Sequence, residues 1–80
     1  MHPRQKRLKA VRSALGKLEM NTRNPGLRTH KIKGRECPHG GDLWEAYAQN
    51  HTPGAFRIFW CYAPPPPLGV ILIVAITPHP

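Results

Sequence analysis

Apolar residues near the start of the chain recur at the spacing of an amphipathic helix. Four of them lie three or four residues apart, which places them on one stripe with lysines on the opposite side. They are Leu8, Val11, Leu15 and Leu18. The pattern predicts a helix over about residues 4–21, ended by Asn24-Pro25-Gly26, because this tripeptide favours a turn. We expect the stripe to pack in the core, against the face of a sheet.

The rest of the chain has the pattern of β-strands. Aromatic and β-branched residues predict strands at about residues 28–33, 43–49, 55–62 and 69–77. Pro53-Gly54 suits the turn of an antiparallel hairpin between the second and third of these. The last strand is apolar from Val70 to Ile76, so we expect it at the centre of the sheet with both faces covered. The predicted fold is one α+β domain over residues 1–80, with the helix packed on an antiparallel meander of three to four strands.

Alternation along the third predicted strand separates two faces. Ile58 and Trp60 fall on one face, which we expect to lie under the helix together with Phe56 and Tyr62. Arg57 and Phe59 fall on the open face, where a guanidinium can bind a phosphate and a ring can stack on a base. An ion pair between Arg57 and Glu45 across the hairpin is an equally good interpretation of this arginine.

Charge is strongly segregated along the chain. The whole protein carries a net charge of +8, but residues 1–35 alone carry +10 and residues 36–80 carry −2. Such a basic half attracts polyanions, and it suits a nucleic-acid interface as well as it suits a solvated helix surface or a contact for an acidic protein.

The two cysteines, Cys37 and Cys61, are expected to be reduced thiols of a cytoplasmic protein, because a run of Arg and Lys stands where a secretory signal would be apolar. A zinc site with His30 and His39 is disfavoured, since Cys37-Pro38-His39 lacks the spacing of a chelating pair. The longest apolar run is about half the length of a membrane-spanning helix. We therefore expect no metal, no cofactor and no membrane contact.

Several short motifs occur in the same order as in toxins of the RelE/ParE superfamily, which belong to type II toxin-antitoxin systems, and the chain resembles that superfamily. The resemblance is strongest to its short RelE-like group, also called cytotoxic translational repressors. After the basic helix, the motifs are Asn24-Pro25-Gly26-Leu27-Arg28-Thr29-His30-Lys31, Gly40-Gly41-Asp42-Leu43-Trp44-Glu45, Phe56-Arg57-Ile58-Phe59-Trp60 and Ile76-Thr77-Pro78-His79-Pro80. The resemblance implies a cognate antitoxin, acidic or DNA-binding, and an RNA or ribosome target. In RelE-type members it also implies cleavage of mRNA without a metal.

The same resemblance suggests roles for individual residues. Arg57 matches the strand arginine that contacts the scissile phosphate, and His79 lies where members place a basic residue or a tyrosine, so these two are the predicted catalytic residues. Substrate binding is predicted for Lys31, Lys33, Phe59 and Tyr47. RelE-type members carry lysines in the first hairpin strand, where this chain has Glu45 and Tyr47.

Two other functions fit the sequence. One is a non-catalytic basic module that binds nucleic acid or a protein, and the other is a gyrase-directed toxin of the ParE type. Few carboxylates and no nucleophile or phosphate-loop motif are present, so any catalysis would depend on Arg, Lys, His and Tyr.

Overall fold

The computed structural model describes residues 3–48, 55–63 and 70–78. The chain forms a helix α1 (Pro3–Met20), a 3-10 turn (Pro25–Leu27) and four strands. The strands are β1 (His30–Glu36), β2 (Asp42–Tyr47), β3 (Phe56–Tyr62) and β4 (Ile71–Pro78). The predicted α+β class is confirmed, with one helix packed on one antiparallel sheet.

The sheet is a meander in the order β1-β2-β3-β4. Trp44 pairs with Trp60 and Ala46 with Ile58 across the predicted hairpin, while its turn at Pro53-Gly54 lies outside the described residues. The β3–β4 ladder contains an irregularity after Phe59. Each strand therefore neighbours the one before it in the sequence, which needs only short connections.

One side of the sheet, the helix face, packs on α1. Ile58 and Trp60 are buried there, as the alternation in β3 predicts, whereas the expectation that Tyr62 also lies under the helix is wrong, because Tyr62 is 42% exposed at the end of the strand. The buried cluster consists of Ala14, Leu18, Leu27, Ala46, Ile58 and Trp60. Leu15 packs at its margin. The prediction that Leu8 belongs to the buried stripe is wrong, because its side chain is 55% exposed; the buried part of α1 runs from Val11 to Leu18.

The segment between α1 and β1 is held by local hydrogen bonds. The Asn24 side chain accepts from the Gly26 amide at 2.9 Å, and Arg28 follows in a left-handed conformation with φ 48°. This turn buries Leu27 in the core and delays the strand, which begins at His30 and not near residue 28. β1 then extends to Glu36, beyond the predicted end near residue 33.

Strand β4 lies at the edge of the sheet, so the prediction of a central position is wrong. Ile71, at the start of the strand, is half-buried. The other large apolar side chains of β4, together with Val70 just before it, are 39–53% exposed. They are Val70, Leu72, Ile73, Val74 and Ile76. In a four-strand meander the last strand is necessarily at an edge, and among the described residues no element lies beyond it to pair with its outer side.

Cys37 and Cys61 form a disulfide, with their Cα atoms 6.3 Å apart, so the prediction of reduced thiols is wrong. The bond joins the end of β1 to β3, and both residues are buried. The backbone between β1 and β2 turns at Cys37, whose amide donates to the Gly41 carbonyl at 2.7 Å. No helix in the described part of the chain has the length and apolar character needed to cross a membrane.

Candidate functional site

The face of the sheet opposite α1, here called the open face, carries a cluster of polar and aromatic side chains. Its residues come from the three strands β1, β2 and β3, because the register sets His30 beside Glu45, Glu45 beside Phe59, and Tyr47 beside Arg57. Arg57 and Phe59 therefore lie on the face that the alternation predicts.

Glu45 is the centre of this cluster. It is 3% exposed, and its carboxylate accepts from Arg57 Nη1 at 3.0 Å through Oε2. His30 Nε2 lies 2.9 Å from the other oxygen, Oε1. A buried carboxylate is stable only when it is paired, and two cationic or potentially cationic partners meet this requirement. The structure thus contains the ion pair that was one interpretation of Arg57.

The His30 ring bridges Glu45 and the backbone. Its Nδ1 lies 3.2 Å from the Arg28 carbonyl oxygen, while its Nε2 faces Glu45. Both oxygens can only accept, and a neutral imidazole carries a single N–H. Both ring nitrogens therefore face acceptors, and neither is directed at a ligand on the open face.

Tyr47 lies against the same carboxylate. Burial, a hydrogen bond to Glu45 and the negative charge of Glu45 raise the pKa of the Tyr47 phenol above its ordinary value of 10.0. Each of these disfavours the phenolate, whereas the positive charges of Arg57 and Arg28 act in the opposite direction. The Tyr47 ring also stacks on His30, with 5.8 Å between the ring centroids.

Arg57 keeps part of its binding capacity. Its side chain is one quarter exposed, and its guanidinium lies over the Phe59 ring at 5.1 Å from the centroid. A guanidinium has five N–H donors; in the described structure the Nε donor of Arg57 is buried without a partner, so the exposed quarter of the side chain is what an anion could contact. An anion that approaches the open face would meet a positioned arginine beside an aromatic ring.

The predicted site residues do not all come together. Tyr47, Arg57 and Phe59 share the open face, whereas Lys31 pairs with Trp44 and so belongs to the helix face. Lys33 is exposed along the outer strand β1, and His79 lies outside the described residues.

His30 and the role of Glu45 as a shared acceptor were missed as parts of a site. The alternation that separates His30 from Lys31 was a usable signal for His30. The same signal could not identify Glu45 as the partner of His30, because the register between β1 and β2 depends on where β1 begins after the turn at Arg28.

Cys37, His39 and Cys61 also lie together, with their ligand atoms within 4.8 Å of one another. The two sulfurs are bonded to each other. The His39 ring is also engaged, since Nε2 lies 3.0 Å from the Tyr62 carbonyl oxygen and Nδ1 accepts from the Gly41 amide at 3.3 Å. In this oxidised form the three residues tie a loop to β3 and offer no free thiolate for a metal.

A second concave region lies on the helix face, beyond the end of α1. This tryptophan cavity has a volume of about 330 Å³ and is lined by Trp44, Trp60 and Tyr62 on the sheet side. The turn that precedes β1 supplies the other wall, with Thr22, Arg23, Asn24, Pro25, Arg28 and Thr29. It is separate from the open-face cluster, because Trp44 and Glu45 point to opposite sides of β2.

Comparison of this chain with protein-family models, with curated proteins and with solved structures gives no match.

Proposed function

We propose that this protein is a toxin of a type II toxin-antitoxin system, similar to the RelE/ParE superfamily, which acts on RNA or the ribosome. The order of motifs supports the proposal, and so does a fold of the expected class. The observation that carries it is the combination of basic surfaces on α1 and β1 with Arg57 and two aromatic rings on the open face.

The exposed basic side chains of the described residues include one group on α1 and one on β1. Those on α1 are Lys6, Lys9, Arg12 and Lys17, and those on β1 are Lys31, Lys33 and Arg35. With a net charge of +8 for the whole chain, these groups would raise the local concentration of any polyanion and accelerate its association. The same charge would favour an acidic antitoxin as the neutralising partner.

The open face offers groups for phosphate chemistry. In a metal-independent cleavage, a ribose 2′-oxygen would give its proton to a solvent water and attack the adjacent phosphorus, and the 5′-oxygen would leave as it takes a proton from solvent. Arg57 would stabilise the extra negative charge on the phosphate. Among the described residues of this face, His30 has both ring nitrogens against acceptors, Glu45 and the Arg28 carbonyl, so it would position the Glu45–Arg57 pair and not act as the acid.

One observation favours a second function, that of a non-catalytic module that binds nucleic acid. Arg57 already pairs with the buried Glu45, and a phosphate would compete with that carboxylate for the same guanidinium. If the pair is purely structural, RNA binding would depend on the basic surfaces and not on Arg57.

Induction in a bacterial host tests the toxin proposal. Expression should arrest growth, and co-expression of a small acidic or DNA-binding protein encoded beside it should relieve the arrest. Arg57→Gln should abolish the arrest in a folded protein, whereas Arg12→Gln, which removes one exposed charge from α1, should not. Mapped mRNA ends would locate cleavage, and inhibited supercoiling with intact mRNA would indicate a gyrase target instead.

RNA binding in solution tests the more general claim. Because each neutralised phosphate of a single strand releases counterions, the logarithm of the affinity should fall linearly with the logarithm of salt concentration, by about 0.7 per contact. An affinity that does not change with salt, or no binding at low salt, would contradict the proposal and favour a protein-binding module.

A further inference from the structure

We propose that the tryptophan cavity binds one base of a single-stranded RNA, with Arg23 and Arg28 on the phosphates that flank this base. The inference rests on the proposed RNA-binding function and adds to it a second site, on the opposite face of the sheet from Arg57. It is drawn from the side chains that line the cavity.

The aromatic residues of the cavity form a stacking surface. The rings of Trp44 and Trp60 are nearly parallel, at 20° with centroids 6.0 Å apart, and Tyr62 meets Trp60 edge-on at 5.0 Å. Trp60 is 1% exposed, so it supports the other two rings, and a base would stack on Trp44 or Tyr62, which remain partly accessible. Stacking on such rings contributes about 5- to 150-fold in affinity per base in single-strand-binding proteins.

Two polar atoms at the cavity lack partners. The indole Nε1 of Trp60 and the hydroxyl oxygen of Thr29 are buried without a hydrogen-bond partner in the described structure, and both residues line the cavity. An indole N–H can only donate, and a hydroxyl can donate or accept. Buried polar groups normally have partners; each of these atoms exposes less than 1 Å², so a base in the cavity would be held by stacking and by the rim and not by hydrogen bonds to them.

The rim of the cavity is positive and locally ordered. Arg23 and Arg28 line it, and the turn that carries them is held by Asn21 and Asn24, whose side chains accept from the Arg23 and Gly26 amides at 3.0 and 2.9 Å. Tyr62 closes the opposite side through a 2.9 Å hydrogen bond to Thr22. A rim with two arginines favours an anionic ligand over a neutral aromatic one.

RNA is favoured over a peptide by these features together. A peptide aromatic side chain could stack on Trp44, but it would not bring a negative charge to each side of the ring. A nucleotide within a strand brings phosphates close to its base, which suits a rim that carries two arginines. Arg28 also connects the two regions, since its carbonyl contacts His30 of the open face.

Intrinsic fluorescence gives a direct test, because the protein contains two tryptophans and both line the cavity. An adenylate decamer should quench or shift the emission upon binding, and a ribose-phosphate decamer without bases should bind at least fivefold more weakly and leave the emission unchanged. Equal affinities for the two decamers, with no change in emission, would overturn the cavity site and leave the proposed function standing. If neither decamer binds at low salt, both claims fail.

Charge-matched variants separate the rim from the general basic surface. Arg23→Gln with Arg28→Gln should reduce the slope of log affinity against log salt by about 1.4, because two phosphate contacts are lost, and should abolish the emission change. Arg12→Gln with Lys17→Gln removes the same charge from α1; it should lower the affinity, because this surface attracts the strand, but the emission change at saturating RNA should remain. If the α1 pair abolishes it and the rim pair does not, the base does not bind in this cavity.

Discussion

The buried part of α1 predicts a graded response to truncation of its leucines. Leu18 is 1% exposed and belongs to the cluster with Ile58 and Trp60, so Leu18→Ala loses the transfer free energy of a full side chain and leaves a cavity. Comparable substitutions cost about 3–5 kcal/mol. A domain of 80 residues has a total stability of only about 4–12 kcal/mol, so we expect Tm to fall by at least about 12 °C.

The same helix provides matched controls for this experiment. Leu15→Ala should cost about 1–2 kcal/mol, because Leu15 packs only at the margin of the cluster. Leu8→Ala should be close to neutral, since Leu8 is 55% exposed and alanine has the higher helix propensity. Urea and thermal unfolding followed by circular dichroism would measure all three. Equal losses at Leu8 and Leu18, or a loss below about 1 kcal/mol at Leu18, would show that α1 does not pack on the sheet through this stripe.

Three further predictions concern the crosslink and the open face. Replacing Cys37 and Cys61 by serine should lower stability by about 3 kcal/mol in urea unfolding, because the disulfide closes a loop across a sequence separation of 24 residues; reductant should have the same effect on the wild type and none on the variant. The raised pKa of the Tyr47 phenol means that its neutral form contributes stability below about pH 10, and that this contribution is lost as the pH rises through the raised pKa. Tyr47→Phe should therefore lose less stability than the wild type between pH 9 and pH 11.5, and parallel pH curves would contradict this origin. Arg57→Gln should cost about 1–3 kcal/mol by leaving Glu45 short of a partner, and adding Glu45→Gln should restore part of it; additive losses in this double-mutant cycle would show that the two side chains are not coupled.

Local patterns in the sequence predicted most elements of the fold. The helix and four strands occur close to their predicted positions, because helical spacing in α1 and alternation in β3 depend only on nearby residues. Ile58 and Trp60 lie in the core and Arg57 on the open face for the same reason. These features are determined by the period of the secondary structure.

The remaining features depend on which elements become neighbours. The all-apolar pattern of β4 is typical of a strand with both faces covered, yet β4 is last in a meander and has one neighbour. The disulfide between Cys37 and Cys61 depends on the turn that brings the end of β1 beside β3, and two cysteines separated by 24 residues give no local signal of it.

The candidate site was predictable only in part. Alternation could place Arg57 and Phe59 on one face. It could not show whether Arg57 pairs with Glu45 or is left for a phosphate, because that depends on the register between β2 and β3. The tryptophan cavity had no sequence signal, because the turn at Arg28 and the two strands that line it are brought together by the sheet.

The exposed strand β4 also affects how the protein behaves at high concentration. No charged residue occurs after Arg57, so this edge lacks the lysines by which natural sheets discourage edge-to-edge association. Mutual repulsion between molecules of charge +8 opposes such contact at low ionic strength, and salt screens this repulsion over a Debye length of about 8 Å under physiological conditions. Added salt should consequently promote turbidity or fibre formation, so dilute buffers of low ionic strength are the conditions in which this chain stays dispersed.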